Sequence, residues 1–219
     1  MKAEELARMI DHSLLRANAT QVQIQQLCDE AVDHGFASVT VNPSWTTYCA
    51  KRLKGTSVKI NPTIGFPLGA NTARVKVEET RDAVKNGASE VDMVINIGAL
   101  KSGFPDFVER EISAVVKAAK GLPVKVILEA SLLTYDEKLL VCGMGCRAGA
   151  AFMKTSTGFG QQGATVADVA LMKEAVGDKC KVKAAGGIRS YRDAIALINA
   201  GASRLGTSAG VKILSEIPH

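Results

Sequence analysis

No metal-binding cluster is visible in the sequence. Its three histidines, His12, His34 and His219, are scattered. The five cysteines, Cys28, Cys49, Cys142, Cys146 and Cys180, are odd in number and irregularly spaced. Cys142 and Cys146 stand one helical turn apart, but no second pair or neighbouring histidine completes a zinc site. The thiols therefore read as reduced, and a cytoplasmic location is expected. No apolar run approaches membrane length. The segment Met1–Arg8 is charged and helical in pattern, unlike a signal peptide. Dense Lys/Arg blocks are missing as well: Lys51-Arg52-Leu53-Lys54 reads as the solvated end of a helix. Neither nucleic acid nor a membrane is an expected partner. No linker or low-complexity stretch divides the chain, so one domain over residues 1–219 is expected.

What is present is ordinary in bulk. The 219 residues are 47% hydrophobic and 22% charged, enough to bury a full core. A net charge of +5 makes a mildly basic surface suited to anionic metabolites. The informative signal is an alternation. Short apolar runs at 9–14, 36–41, 58–66, 90–97, 124–129, 151–154, 181–185 and 204–206 read as strands. Between them lie helical patterns with start and stop signals: Thr20 to His34 before Gly35, Pro43 to Leu53 before Gly55, Thr72 to Asn86 before Gly87, Pro105 to Lys120 before Gly121, and Thr134 to Ala148 before Gly149. Further helices are expected from about Thr165 to Val176, from Ser190 to Ala200, and at the C-terminal end. Eight strands, each followed by a helix, predict an α/β fold, a (β/α)8 TIM barrel with a parallel eight-stranded sheet. An open doubly wound sheet is the runner-up. It ordinarily carries a glycine-rich fingerprint after the first strand, where this chain has Asp11-His12-Ser13.

Three strands contain a charge among apolar residues: Asp92, Lys154 and Lys183. A lysine in a buried strand loses its water, and burial lowers its pKa until a neutral amine is available near pH 7. Such an amine attacks carbonyls and forms Schiff bases. The alternative is a lysine at the strand mouth that snorkels into solvent. Because the Lys154 and Lys183 strands are consecutive, they are expected to be neighbours, so two ammonium groups approach and one pKa falls. Asp92 supplies a compensating charge and a proton-transfer group. A purely structural Lys–Asp–Lys network is the other reading of the same three residues. Gly186-Gly187, with Arg189 and Ser190 behind it, and Gly206-Thr207-Ser208 fall in the loops after strands seven and eight, where barrels of this kind commonly hold a phosphate.

Ile10-Asp11-His12-Ser13-Leu14-Leu15, Val41-Asn42-Pro43-Ser44-Trp45, Ile64-Gly65-Phe66-Pro67-Leu68-Gly69, Glu90-Val91-Asp92-Met93-Val94-Ile95-Asn96-Ile97-Gly98, Met153-Lys154-Thr155-Ser156-Thr157-Gly158 and Lys183-Ala184-Ala185-Gly186-Gly187-Ile188-Arg189 follow one another in order over nearly the whole chain. In these segments the sequence resembles the deoxyribose-phosphate aldolases, a family of class I aldolases. The resemblance implies reversible cleavage of 2-deoxy-D-ribose 5-phosphate to D-glyceraldehyde 3-phosphate and acetaldehyde. It implies Lys154 as the Schiff-base residue, Lys183 as the lysine that perturbs it and shares in proton transfer, and Asp92 as an acid–base group working through a water. Substrate and phosphate contacts are implied at Thr157, Gly158, Gly186, Gly187, Gly206 and Ser208, with Asp11 a supporting acid near the lysines. No cofactor and no metal are implied, the partner is a small phosphorylated sugar, and a homo-oligomer, dimer or tetramer, is expected. Phe159 departs from members that carry a lysine near the phosphate. The residues alone leave two other functions open: a phosphate-binding barrel isomerase with Asp92 as base, and a non-catalytic barrel that holds a phosphorylated ligand. Glu129-Ala130-Ser131 has no explanation at this level.

Overall fold

The computed structural model describes residues 1–218; His219 lies outside the described residues. After a short helix α1 (Ala3–Ala7) the chain alternates as expected. The strands are β1 (Ile10–Leu14), β2 (Ser38–Val41), β3 (Lys59–Ile64), β4 (Val91–Val94), β5 (Val124–Ile127), β6 (Phe152–Lys154), β7 (Lys181–Ala185) and β8 (Arg204–Thr207). The helices between and after them are α2 (Gln21–His34), α3 (Thr46–Arg52), α4 (Ala73–Lys85), α5 (Ile97–Lys101), α6 (Pro105–Ala118), α7 (Tyr135–Arg147), α8 (Val166–Val176), α9 (Tyr191–Asn199) and α10 (Gly210–Ser215). All strand pairs are parallel, neighbours in sequence are neighbours in space, and β8 closes on β1, with Asp11 level with Gly206 and His12 with Thr207.

Local chemistry explains the boundaries. Side-chain oxygens of Thr72, Thr134, Thr165 and Ser190 accept backbone N–H groups in the first turns of α4, α7, α8 and α9. Gly35 ends α2 in the left-handed conformation, at φ 67°. Several elements are shorter than in the sequence reading: β2 begins at Ser38 rather than Phe36, β3 stops at Ile64 rather than Phe66, β5 stops at Ile127 rather than Glu129, and α3 begins at Thr46 rather than Pro43. The fourth strand stops at Val94 rather than running to Ile97, because Asn96 Oδ1 accepts from Ala99 N at 3.0 Å and so begins α5.

The expectation of five reduced thiols also fails. Cys146, at the end of α7, is joined to Cys180, just before β7, with Cα atoms 5.8 Å apart. Their separation of 34 residues gives no local spacing signal, and only the packing of α7 beside the start of β7 brings them together. Cys28, Cys49 and Cys142 are free and buried.

The period-2 alternation of the strands sorts the barrel into two environments. Outward residues, among them Val39, Val41, Val91, Met93, Val124, Val126, Met153, Val182, Ala184 and Leu205, join the helix faces in one apolar sheath. Inward positions hold Asp11, Ser38, Thr40, Asn61, Thr63, Asp92, Lys125, Lys154 and Lys183, all buried. Barrels of this class usually fill that space with branched apolar side chains. Here the hydrophobic core surrounds the barrel, and polar groups occupy much of its interior beside a few apolar side chains such as Phe152. Among the described residues no helix is long and apolar enough to cross a membrane.

Candidate active site

The register brings the strand charges together. Lys154 on β6 is level with Lys183 on β7, and Lys125 on β5 is level with Asp92 on β4. Asp92 is the hub. Its Oδ2 accepts from Lys154 Nζ at 2.7 Å and from Lys183 Nζ at 2.8 Å. Its Oδ1 accepts from Asn61 Nδ2 at 2.8 Å and lies 3.2 Å from Lys125 Nζ. Asn61 is fixed in turn, donating to Thr40 Oγ1 and accepting from Lys125 Nζ. Asp11 stands beside the hub. Its Oδ2 is 2.5 Å from Lys183 Nζ, and its Oδ1 accepts from Ser38 Oγ and from an Arg204 guanidinium nitrogen, both at 2.6 Å. Glu90 pairs with Lys125 at 2.5 Å and with Arg204 at 3.3 Å.

The cluster thus sets three carboxylates, Asp11, Glu90 and Asp92, against four cationic side chains, Lys125, Lys154, Lys183 and Arg204. One cation more than the carboxylates can balance favours release of a proton from the group least well compensated. That group is Lys154. Its pKa is lowered to about 8, first by burial, against the opposing pull of Asp92, with the charge of Lys183 adding to the drop. The device therefore differs in emphasis from the expected repulsion between two lysines: dehydration leads and Lys183 assists. Lys125 moves the other way, because Asp92, Asp11 and Glu90 together outweigh its own burial. Asp92 is held well below the usual carboxylate range by Lys154, Lys183 and Lys125 despite complete burial, and Asp11 is lowered by Lys183, Lys125 and Arg204.

A cavity of about 560 Å³ opens above this cluster at the C-terminal ends of the strands. Its floor is Lys154, only 2% exposed, with Lys183 beside it. Thr157, Gly158, Gly186, Gly187, Gly206 and Ser208 line the same cavity, together with His12 and Arg189. Asp92 and Asp11 do not reach it; both lie beneath the lysines. The sequence-singled residues thus occupy two layers, a charged floor and a glycine-rich wall.

The wall needs its glycines for two reasons. Gly158, Gly186 and Gly187 have φ of 83°, 88° and 77°, the left-handed region that side chains disfavour. Gly163 is held against the Gly186 carbonyl, where a Cβ would stand 2.1 Å from the oxygen. Gly206 has a further duty: a Cβ there would stand 3.1 Å from Lys183 Cε, so the missing side chain gives Lys183 its path across the barrel. The Thr157 hydroxyl is already engaged, donating to Glu129 and accepting from Phe159 N.

Residues to which the sequence reading gave no role are Lys125, Asn61, Glu90 and Arg204, which complete the cluster, and Glu129, noted in the sequence without an explanation, which holds Thr157. The available signal was the inward register: Lys125 and Asn61 occupy the same face of their strands as the residues that were recognised. Among the described residues, no group of histidine, cysteine and acidic side chains is arranged to hold a metal ion.

Comparison with known proteins identifies relatives over nearly the whole chain. Residues 6–216 match the DeoC/LacD family aldolase model. The chain is 58% identical to the deoxyribose-phosphate aldolase of Geobacillus sp. (strain WCH70) over 210 residues, covering 95% of this chain and 94% of that protein. It is also 58% identical to the deoxyribose-phosphate aldolase of Streptococcus sanguinis (strain SK36), covering 96% of each. Among solved structures, the tetrameric deoxyribose phosphate aldolase of Aeropyrum pernix superposes with a TM-score of 0.92 at 38% identity, covering 98% of this chain and 91% of that one.

Proposed function

The chain belongs to the DeoC/LacD family of aldolases, and on that premise we propose that it reversibly cleaves 2-deoxy-D-ribose 5-phosphate to D-glyceraldehyde 3-phosphate and acetaldehyde through a Schiff base on Lys154. The observation that carries this reading is the amine of Lys154, dehydrated at the floor of the cavity with its pKa lowered to about 8. A fraction of that amine is neutral near pH 7, which is the form that attacks an aldehyde.

The chemistry follows from the layers. Lys154 Nζ adds to the substrate aldehyde, and loss of water leaves an iminium on the first carbon. The positive nitrogen draws electrons from the bond between the second and third carbons, the cleavage that releases a two-carbon fragment. A base removes the proton of the hydroxyl on the third carbon as that bond breaks. The enamine left on Lys154 is then protonated at its second carbon, and water returns to release acetaldehyde. Lys183 reaches the cavity and shares Asp92 with Lys154, so Lys183 and Asp92 form the proton-transfer pair. Asp92 reaches substrate only by way of a water or through Lys183, since it lies below both lysines. Asp11 holds Lys183 in place from the other side. The backbone of Gly158, Gly186, Gly187 and Gly206, with Ser208 and Arg189, forms the phosphate end of the cavity. The iminium itself is the electron sink, so the reading calls on no cofactor.

A homo-oligomer, dimer or tetramer, and a cytoplasmic location belong to the same reading; the tetrameric Aeropyrum pernix relative supports the first. The decisive experiment is borohydride reduction in the presence of acetaldehyde, followed by peptide mass mapping. A single N-ethyl adduct on Lys154, lost in Lys154→Met, is expected. Adducts spread over surface lysines with none on Lys154 would reject the assignment.

A further inference from the structure

Glu129 is the second residue past β5, and it carries the features of a residue held for a purpose. It is 4% exposed, and its backbone has φ 54° and ψ 65°, a left-handed conformation that non-glycine residues seldom hold. Neighbouring chain fixes it there. Leu128 N donates to Lys154 O at 3.0 Å and Ala130 N to Thr155 O at 2.9 Å, so the pairing of β5 with β6 continues around Glu129. The turned backbone aims the side chain at the loop after Lys154. Its Oε2 accepts from Thr157 N at 3.1 Å and also from Thr157 Oγ1. Thr157 Oγ1 then accepts from Phe159 N at 3.0 Å. Glu129 Oε1 is buried without a partner and packs against Gly160, where a Cβ would stand 2.9 Å away.

These bonds pin both sides of Gly158. That glycine lines the cavity at φ 83° and lies against Gly186: a Cβ on Gly186 would stand 3.3 Å from Gly158 Cα. Glu129 itself does not line the cavity. A buried carboxylate behind an anion site is electrostatically adverse unless its position does work that a neutral side chain in the wrong place cannot.

We propose that Glu129 is a positioning residue for the phosphate end of the cavity: acting through Thr157, it holds the Thr157–Gly158–Phe159 turn in the shape that presents the Gly158–Gly186 backbone to the substrate phosphate. The proposal rests on the aldolase reading for its substrate, but its physical content is anion binding and is tested separately from turnover. Glu129→Gln keeps an oxygen that accepts both Thr157 donors; Glu129→Ala removes it, and Thr157→Val removes the relay.

Two measurements decide it. The first is binding of inorganic phosphate, followed by calorimetry or by the rise in melting temperature that it produces. Glu129→Ala and Thr157→Val are expected to weaken phosphate binding about tenfold, the size of a lost charge-assisted hydrogen bond, while Glu129→Gln stays within about threefold of the parent. The double variant Glu129→Ala/Thr157→Val is expected to be no worse than its weaker single parent, because both act by loosening the same turn. The second is kcat/KM on the phosphorylated sugar against 2-deoxyribose. Glu129→Ala is expected to lose about tenfold more on the phosphorylated substrate, through KM. Unaltered phosphate binding in Glu129→Ala, equal losses on both sugars, or additive losses in the double variant would overturn the proposal. If Glu129→Ala fails to fold, the Glu129→Gln and Thr157→Val pair still separates the outcomes. A parent enzyme that binds phosphate through this residue but forms no acetaldehyde adduct would instead sink the aldolase reading and leave this one standing.

Discussion

At the scale of single residues the site works by unequal compensation of like groups. Lys125, Lys154 and Lys183 all lie inside the barrel, yet Lys125 has three carboxylates around it and Lys154 has only Asp92. The same ammonium chemistry is therefore raised in one place and lowered in the other. This gives a prediction with opposite signs. Acetaldehyde trapping on Lys154 follows its neutral fraction, so yield in the parent should rise with pH through about 8. Asp92→Asn removes the anion that holds the proton on Lys154, and the midpoint should fall. Lys183→Met removes a neighbouring cation and leaves Asp92 freer to act on Lys154, and the midpoint should climb. Each shift should be about one pH unit, corresponding to ~1.4 kcal/mol of changed interaction. Both variants should turn over poorly, by roughly 100-fold or more, since each loses half of the proton-transfer pair. Trapping yield against pH is the measurement, and midpoints that move in the same direction would refute the charge balance described here. Asp92, Lys154 and Lys183 were legible in the sequence because each interrupts an apolar strand. Lys125 was not. It stands at the second position of its strand, and lysines that open strands are as often solvated, as Lys59 and Lys181 are here.

At the scale of elements, the strands and helices could be read nearly to their ends because apolar period and capping residues agree. What the sequence did not disclose is where two elements touch. Gly163 is the clearest instance. It lies in the loop before α8, where nothing in the sequence marks it, and proves to be the point where that loop meets the loop after β7. Gly206 resembled a phosphate-loop glycine, and it also makes room for Lys183. The two positions should separate on substitution. Gly163→Ala places a methyl group 2.1 Å from the Gly186 oxygen, so the phosphate loop must move. KM for the phosphorylated sugar should rise, with a smaller loss on unphosphorylated 2-deoxyribose. Gly206→Ala presses instead on two side chains of β7, Ala185 Cβ at 3.0 Å and Lys183 Cε at 3.1 Å, so Lys183 is displaced and kcat should fall on both sugars alike. Effects of roughly tenfold are enough to tell them apart, since displacement of about 1 Å in a site costs up to ~100-fold. Steady-state kinetics of the two variants on the two sugars is the check. A KM effect from Gly206→Ala together with a kcat effect from Gly163→Ala would show the elements to be wired the other way.

At the scale of the whole molecule, stability and reactivity draw on different parts of the barrel. The apolar sheath between strands and helices supplies the folding free energy, and the interior holds a charged cluster that contributes chiefly geometry. The sequence announces the sheath through its alternating strands, but the connectivity of the cluster depends on barrel closure, which sets Arg204 of β8 against Asp11 of β1 and Lys125 of β5 near Glu90 and Asp92. Members of such a cluster differ in what their removal leaves behind. Lys125→Met leaves Glu90 with only the longer Arg204 contact at 3.3 Å and takes a partner from Asp92 and Asn61, so three buried polar groups lose a bond, a loss of about 3–5 kcal/mol. In a chain of this size that is a fall of about 10 °C in melting temperature at pH 7. Lys154→Met removes the cation that the cluster cannot balance, and Asp92 keeps Lys183, Lys125 and Asn61, so melting at pH 7 should be unchanged or higher even as activity disappears. The acid limb tests the same balance. Asp11 and Asp92 have folded pKa values below their ordinary value of 3.8, so their stabilisation is complete above that value and is lost as the pH falls from about 4 downward. In the parent, melting temperature should hold to about pH 4 and then drop steeply. Lys125→Met should already have lost part of that stabilisation at pH 7 and should show a shallower acid drop. Calorimetric melts of the three proteins from pH 3 to 8 decide the matter, and a Lys154→Met protein that melts as far below the parent as Lys125→Met would show that the reactive lysine is also a structural one.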